Sequence, residues 1–508
     1  MSENIINKKE KFFSNYLIVG VLIGLIGLII RIYFYPYNIP ITLDGLLYFW
    51  YAIDASDLGR IPTQYNFPNN FWPLSLGLVF SISNLENYMD LMNLQRVTSL
   101  IISVLTFVPV YYILRKFFVQ KYALTGMALY AVEPRLIINS LGGLPETLFI
   151  FLGSITIVLF LSNKLKLIYL SFAVCAVFSL VRYEGILLLI PLSITLLIRF
   201  RKEKKVIIYL LIALTIFGLT ILPMTHLRMD ATGNDGIYSH IGSNGALGVV
   251  LNGNPDKVNF DSGILIFIKL LLWSTFPIFF LFLPYGIKSI IKKDYKNLLI
   301  ITTSIIFLIP TMYASIRDIQ EIKYLLVLYP IFTLLTIFMI QKINEKIKKN
   351  NIFLIMMIIG AVAISTVFLT NQIDNDHERE AIIISEEIIK RTTVINDLHP
   401  ELIYLRTAVF SDYDEYAGKY DSIHKKIRIL QTEEYSTLAD FLNFAQKEKL
   451  KFLVVDNNEN RTDFIRSIFE NEEKYPFLEK EFDSNDLGFK YKAKIFRINY
   501  EQFNENNN

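Results

Sequence analysis

Apolar runs long enough to cross a hydrocarbon core of ~30 Å recur about eleven times before residue 373. They lie near 14–35, 95–117, 122–138, 145–162, 167–182, 185–200, 206–226, 263–286, 297–314, 322–341 and 352–371. This pattern predicts an α-helical polytopic membrane domain over 1–373, with a long first outer loop at 36–94. From 374 to 508 the pattern changes. "DHEREAIIISEEIIKR", "YSTLADFLNFAQKEK" and "RTDFIRSIFE" carry helical periodicity, while "IRIL", "KFLVVD" and "YKAKIFRINY" suit short strands. Alternating strands and helices predict a C-terminal soluble α/β domain.

The loops then sort by charge. Lys8, Lys9 and Lys11 precede the first run, Arg115, Lys116 and Lys121 follow the second, and Lys164 and Lys166 follow the fourth. "RFRKEKK", "KSIIKKDYK" and "QKINEKIKK" follow the sixth, eighth and tenth. Every second loop is therefore short and basic, as cytoplasmic loops are. The pattern predicts a multi-pass protein of the cell membrane, its N-terminus cytoplasmic and its C-terminal domain outside. "MSENIINKKEKFF" and the run after it lack a cleavage-site pattern, so that run is expected to be a retained helix.

Composition agrees with this picture. Of 508 residues, 53% are hydrophobic, which is too apolar for a soluble chain of this length. A net charge of +3 argues against a nucleic-acid binder. The single cysteine, Cys175, excludes an internal disulfide framework.

The chemistry collects in the outer loops. "DGLLYFWYAIDASDLG" and "NNFWPLSLGLVFSIS" predict two interfacial helices, with Trp50 and Trp72 at headgroup depth. Asp44 opens the first of them, and a carboxylate beside a membrane needs water, a partner or a task. A helix cap is its simplest task. "VEPRLIINSLGGLPETLF" carries Glu133, Arg135 and Glu146, the last suited to the positive end of a helix dipole. "VRYEGILLL" holds Arg182 and Glu184, which a local ion pair would explain. "SIRDIQEIKYLLVLYP" carries Arg317, Glu321, Lys323 and Tyr324. The loop after the seventh run holds His226, Arg228, Asp230 and His240, where histidines are ordinarily surface residues. Together these groups converge on one face and leave the mid-membrane nearly uncharged. An ion-coupled transporter places ionisable groups near the middle, whereas an enzyme acting on a lipid headgroup places them at one edge.

With "LDGLLYFWYAIDASDLGRIPTQYNFPNNFWP", "VEPRLIINSLGGLPETLF", "RYEG" and the Lys-Tyr pair before "LYP", the chain resembles the GT-C superfamily of membrane glycosyltransferases. The likeness covers about 14–345 and is nearest to the dolichyl-phosphate-mannose–protein mannosyltransferase and lipid A aminoarabinose transferase group. It implies a sugar donor on a polyprenyl phosphate, a protein, glycan or lipid acceptor, and reaction at the outer face of the bilayer. Asp44 would be the general base of an inverting transfer. Glu146 would position the acceptor or help bind a divalent metal ion. Arg135, Arg182, Arg317 and Lys323 would hold the phosphate, Arg182 and Lys323 foremost, with Glu184 and Tyr324 on the substrate side. Many protein mannosyltransferases carry Asp-Glu where this chain has Asp44-Gly45. The second outer loop has no "DxD", and no "WWDYG"-like string occurs, which leaves metal dependence and acceptor open. Three alternatives stand beside this assignment: a lipid-linked oligosaccharide transferase or polymerase, a transporter or flippase, and a non-catalytic assembly protein.

Overall fold

The computed structural model describes residues 2–41, 43–63, 65, 70–241, 260–291, 294–347, 350–396, 428–458 and 461–507. In chain order the first helices are α1 (Ser2–Tyr33), α2 (Leu43–Leu58), α3 (Phe71–Ser81), α4 (Tyr88–Leu105), α5 (Phe107–Arg115) and α6 (Gln120–Ala131). They continue as α7 (Pro134–Leu141), α8 (Glu146–Phe160), α9 (Leu165–Val181), α10 (Leu189–Arg199) and α11 (Val206–Thr232). Among the described residues, six spans are long and apolar enough to cross a membrane: Tyr16–Tyr33, Tyr88–Arg115, Val206–Thr232, Tyr295–Ile316, Ile322–Ile347 and Asn351–Ile389. Four shorter apolar helices accompany them.

Several runs that the apolar pattern draws as single helices are interrupted: 95–117 divides between α4 and α5, and 322–341 begins as a 3-10 turn, Ile322–Leu328. The run at 122–138 breaks between α6 and α7, because Pro134 has no N–H to continue the helix and holds Glu133 extended (φ −65°, ψ 117°). The run at 185–200 begins as a tighter 3-10 turn, Tyr183–Leu188, before α10. The run at 263–286 stops at Thr275, ahead of Pro277, and resumes at Leu283.

The chain forms two compact units. The first comprises Met1–Tyr35, Leu58–Val79 and Leu94–Gln372. Its helices carry exposed apolar side chains, among them Leu22 and Ile29 on α1 and Ile207, Leu211 and Leu222 on α11. That is the surface a bilayer covers. Lipid tails are as apolar as leucine, so close packing and buried polar bonds hold such helices together. Arg31 supplies several of those bonds. Its fully buried guanidinium donates to the carbonyls of Gly27 and Ala131, each at 2.9 Å, and to Ser103 Oγ at 3.1 Å. It thereby ties α1 to α4 and α6. α8 and α9 form an antiparallel hairpin across the short Leu161–Lys164 connection, with Phe149 and Phe178 stacked at 3.9 Å between them.

The second unit comprises Pro36–Asp57, Phe80–Asn93 and Ile373–Asn508. In it β3 (Phe452–Asp456) pairs antiparallel with β5 (Ala493–Ile498), which pairs antiparallel with β4 (Leu478–Asp483). β1 (Val394–Asn396) and β2 (Arg428–Leu430) form a separate parallel pair. Asn396 joins the two sheets, donating to Val454 O at 2.8 Å and accepting from Val454 N at 2.9 Å. Helices Leu438–Lys447 and Asp463–Glu470 bury Phe441, Leu442, Ile465 and Ile468 against Leu453, Val455 and Phe496. The alternation expected of this region is present, with β1 and β4 added.

Glu472 accepts from Lys480 at 2.8 Å and Lys494 at 3.1 Å, and these bonds, Lys480 first, hold its carboxyl below the ordinary value. A depressed carboxyl stabilises the fold above its unfolded value, and that gain is lost as pH falls through the folded one. Acidification from about pH 6 to about pH 3 is therefore expected to lower the melting temperature of this unit, and Glu472→Gln to remove part of the drop. Both lysine bonds are partly exposed, so the effect of Glu472 stays under about 1 kcal/mol and shrinks in high salt. Unchanged acid sensitivity in Glu472→Gln would assign the drop to other carboxylates.

Candidate functional site

The α8–α9 hairpin decides which groups meet. Its two ends lie side by side, so Glu146 in the first turn of α8 faces Arg182 at the end of α9, although they are 36 positions apart. Arg182 Nη1 donates to Glu146 Oε1, and its Nη2 to Glu184 Oε1 at 2.9 Å. The planar guanidinium thus serves two carboxylates at once, a geometry lysine cannot copy. All three side chains are buried. Together they form one cluster of two carboxylates and one guanidinium. Tyr324 covers it, its ring centre 5.3 Å from the Arg182 guanidinium carbon.

Gly185 permits the return of the chain that brings Glu184 back. A Cβ there would lie 2.9 Å from Phe178 O and from Ser179 Cα. Glu146 is placed by the Gly142–Gly143 turn. Gly143 has φ +67°, and a Cβ on it would lie 2.9 Å from Gln95 Cγ. Three donors hold that turn: Trp72 Nε1 and Gln95 Nε2 reach Gly143 O at 3.1 and 2.9 Å, and Arg96 Nε reaches Leu141 O at 3.0 Å. Gly143→Ala is expected to destabilise the protein by about 1–3 kcal/mol, because left-handed backbone and lost space act together. A melting curve equal to wild type would show that the turn relaxes freely.

The remaining candidates divide. Lys323 stands beside the cluster with its Nζ 6.0 Å from the Tyr324 ring centre, and it pairs with Glu321 at 3.0 Å. Its side chain is 23% exposed and that of Glu321 is 48% exposed, so an incoming anion can replace the carboxylate at small cost. Arg317 is exposed and donates to Tyr313 Oη at 3.3 Å. Arg135 belongs to a different group. It donates to the Phe276 carbonyl, lies 3.7 Å from Glu133, and is flanked by the rings of Trp273 and Phe368 at 5.0 and 4.9 Å. Asp44 lies in the other compact unit, exposed in the first turn of α2.

Trp50 and Trp72 are not headgroup anchors: both side chains are buried inside the protein. Trp50 packs edge-on against Phe49 and Tyr88 at 5.1 and 5.2 Å, and Trp72 spends its N–H on Gly143. Sequence reasoning passed over His240 as a surface residue. It sits half-buried with its ring centre 5.5 Å from that of Tyr183, within electrostatic reach of Glu184 and Arg228. Burial, and then Arg228, hold its imidazole below the ordinary value, with Glu184 and Asp235 opposing. Nothing in the spacing of the loop marked His240 as different from His226, which is exposed beside Asp230.

Among the described residues no group of three or more His, Cys, Asp or Glu is arranged to hold a metal ion. Glu146 and Glu184 each direct an oxygen to Arg182, so these carboxylates form no metal cradle.

Residues 88–224, which contain Arg135, Glu146, Arg182 and Glu184, match the family model for dolichyl-phosphate-mannose-protein mannosyltransferase. A comparison with curated proteins found no match. ArnT from Cupriavidus metallidurans in the apo state is similar in structure, with 10% identity, coverage of 96% of this chain and 98% of that one, and a TM-score of 0.55. The oligosaccharyltransferase of Archaeoglobus fulgidus, solved with Zn and sulfate, has 11% identity, coverage of 86% and 68%, and a TM-score of 0.53. The archaeal oligosaccharyltransferase AglB from the same organism, in complex with an inhibitory peptide and a dolichol-phosphate, has 12% identity, coverage of 88% and 70%, and a TM-score of 0.51. The chain is a multi-pass membrane protein with the fold of the GT-C membrane glycosyltransferases. Within that fold its family-model match falls on the segment that carries the Arg182 cluster.

Proposed function

We propose that this protein transfers a sugar from a polyprenyl-phosphate donor to an acceptor at the outer face of the membrane, with inversion at the anomeric carbon. The observation that carries this proposal is the buried Glu146–Arg182–Glu184 cluster in a GT-C fold, with partly exposed Lys323 beside it. In the reaction, an acceptor hydroxyl or amide attacks the anomeric carbon while the bond from that carbon to the phosphate oxygen breaks. Asp44 takes the acceptor proton, and the polyprenyl phosphate leaves as an anion. Fixed positive charge near the departing oxygen lowers the barrier. Lys323 and Arg317 are the accessible cations. Arg182, engaged by two carboxylates, fixes Glu146 to orient the acceptor. Incubation of the purified protein with a panel of polyprenyl-phosphate sugars tests this directly. Donor consumption with release of polyprenyl phosphate is the expected result; substrate flux in liposomes without donor breakdown would indicate a transporter instead.

A second version, transfer of a whole lipid-linked oligosaccharide, is favoured by the two oligosaccharyltransferase neighbours, one of them in complex with an inhibitory peptide and a dolichol-phosphate. Donors bearing one sugar and donors bearing several separate the two versions in the same assay.

Both versions place the reaction outside the cytoplasm. The basic loops, including 199–205 and 341–349, then face the cytoplasm, and residues 374–508 lie outside. Protease added to intact cells is expected to remove the C-terminal domain. Protection of that domain until the membrane is breached would reverse the orientation.

A further inference from the structure

Near the basic end of α5 the first unit contains a groove of about 420 Å³, within the ~300–1,000 Å³ of typical ligand sites. α1, α5, α6 and the end of α4 form its walls, through residues such as Gly20, Gly24, Val108, Tyr112, Leu124 and Met127. Two glycines create the space. A Cβ on Gly24 would meet nothing within 4 Å, and one on Gly20 would meet only Leu124, at 3.8 Å. Leu17, Val21 and Val108 on the rim are exposed, so the groove opens sideways from membrane-spanning helices. An apolar recess of this kind gives water too few partners, and the bilayer offers an acyl chain instead.

Charge at one end selects which lipid. Lys116 follows Tyr112 by one helical turn, and Lys121 adjoins Gln120, another lining residue. Lys121 rests its Nζ 4.8 Å from the Tyr122 ring centre, and no described carboxylate pairs with it or with Lys116. Tyr16, Tyr111 and Tyr112 line the same end, as amphipathic rings do at headgroup depth. We propose that this groove binds an acyl chain of an anionic phospholipid, whose headgroup is held by Lys116 and Lys121. It is a site separate from the Arg182 cluster, and it does not depend on the proposed transfer reaction.

Native mass spectrometry of the full chain, purified in equal parts of phosphatidylglycerol and phosphatidylcholine, tests the proposal. Retention of phosphatidylglycerol is expected for wild type. Gly24→Leu fills the groove and is expected to lose that lipid, whereas Gly218→Leu, also with open space around it but on α11, keeps it. Each lysine near a membrane surface is worth about fivefold in preference for an anionic lipid, so Lys116→Gln with Lys121→Gln lowers the preference about 25-fold. The double variant leaves the groove walls intact and keeps the test valid if Gly24→Leu fails to fold. Equal retention of the two lipids by wild type would overturn the proposal. So would full phosphatidylglycerol retention by a folded Gly24→Leu, or displacement of the lipid by added polyprenyl phosphate.

Discussion

Arg182→Ala is expected to cost the folded protein about 3–5 kcal/mol, because it leaves two buried carboxylates facing one another without their cation. Glu146 and Glu184 are 2% and 6% exposed, so water offers them little relief. Arg182→Lys restores the charge but lacks the fork that reaches both carboxylates, and it should recover only part of the loss. Neutralising the partners separates charge from chemistry. Adding Glu146→Gln and Glu184→Gln to Arg182→Ala removes the stranded charges and should return much of the stability while leaving donor consumption impaired. Melting temperature in detergent and donor consumption are the two readouts. A normal melting temperature in Arg182→Ala would show that the three side chains are not a buried unit, and Arg182 would revert to a simple phosphate ligand. Lys323→Ala makes the contrast, since its partner Glu321 is half-exposed and the substitution should spare the fold.

The membrane helices were legible because bilayer thickness sets their length and short basic loops mark their ends. Breaks within them were only half visible. Pro134 interrupts one run for a reason written in its ring, yet the apolar pattern runs on through it. Glu146 and Arg182 were each noticed on their own line of sequence, but their meeting depends on the α8–α9 hairpin, and no local pattern encodes a partner 36 positions away. Arg31 was missed for a similar reason: it satisfies itself on backbone carbonyls, which leave no trace in side-chain composition. In the C-terminal domain β3 announced itself as a continuous apolar run and β5 through alternation, while β4, "LEKEFD", carries mostly charged residues and reads as a loop. The tryptophans misled because an aromatic residue near an apolar run suits a headgroup anchor and a buried core equally well.

Asp44→Asn is expected to slow sugar transfer by about 10²–10⁴ while leaving the fold intact. Asp44 lies in the first turn of α2, a helix that begins at Leu43, so loss of its charge forfeits a dipole interaction of about 0.3–1 kcal/mol. Its side chain is exposed, so any ion pair it makes is worth about 0–1 kcal/mol. Neither effect unfolds the protein, and neither slows chemistry a hundredfold. Asparagine keeps the size and most of the hydrogen bonding of aspartate but cannot take a proton from an attacking hydroxyl. Donor binding should therefore survive, seen as an unchanged upward shift of melting temperature on adding polyprenyl-phosphate sugar. A strong nucleophile that reacts without losing a proton, such as azide, should restore transfer in Asp44→Asn if the missing step is proton removal. Normal turnover in a folded Asp44→Asn variant would leave Asp44 as a helix-end charge, and the base would have to be sought elsewhere, with half-buried His240 as the first group to test.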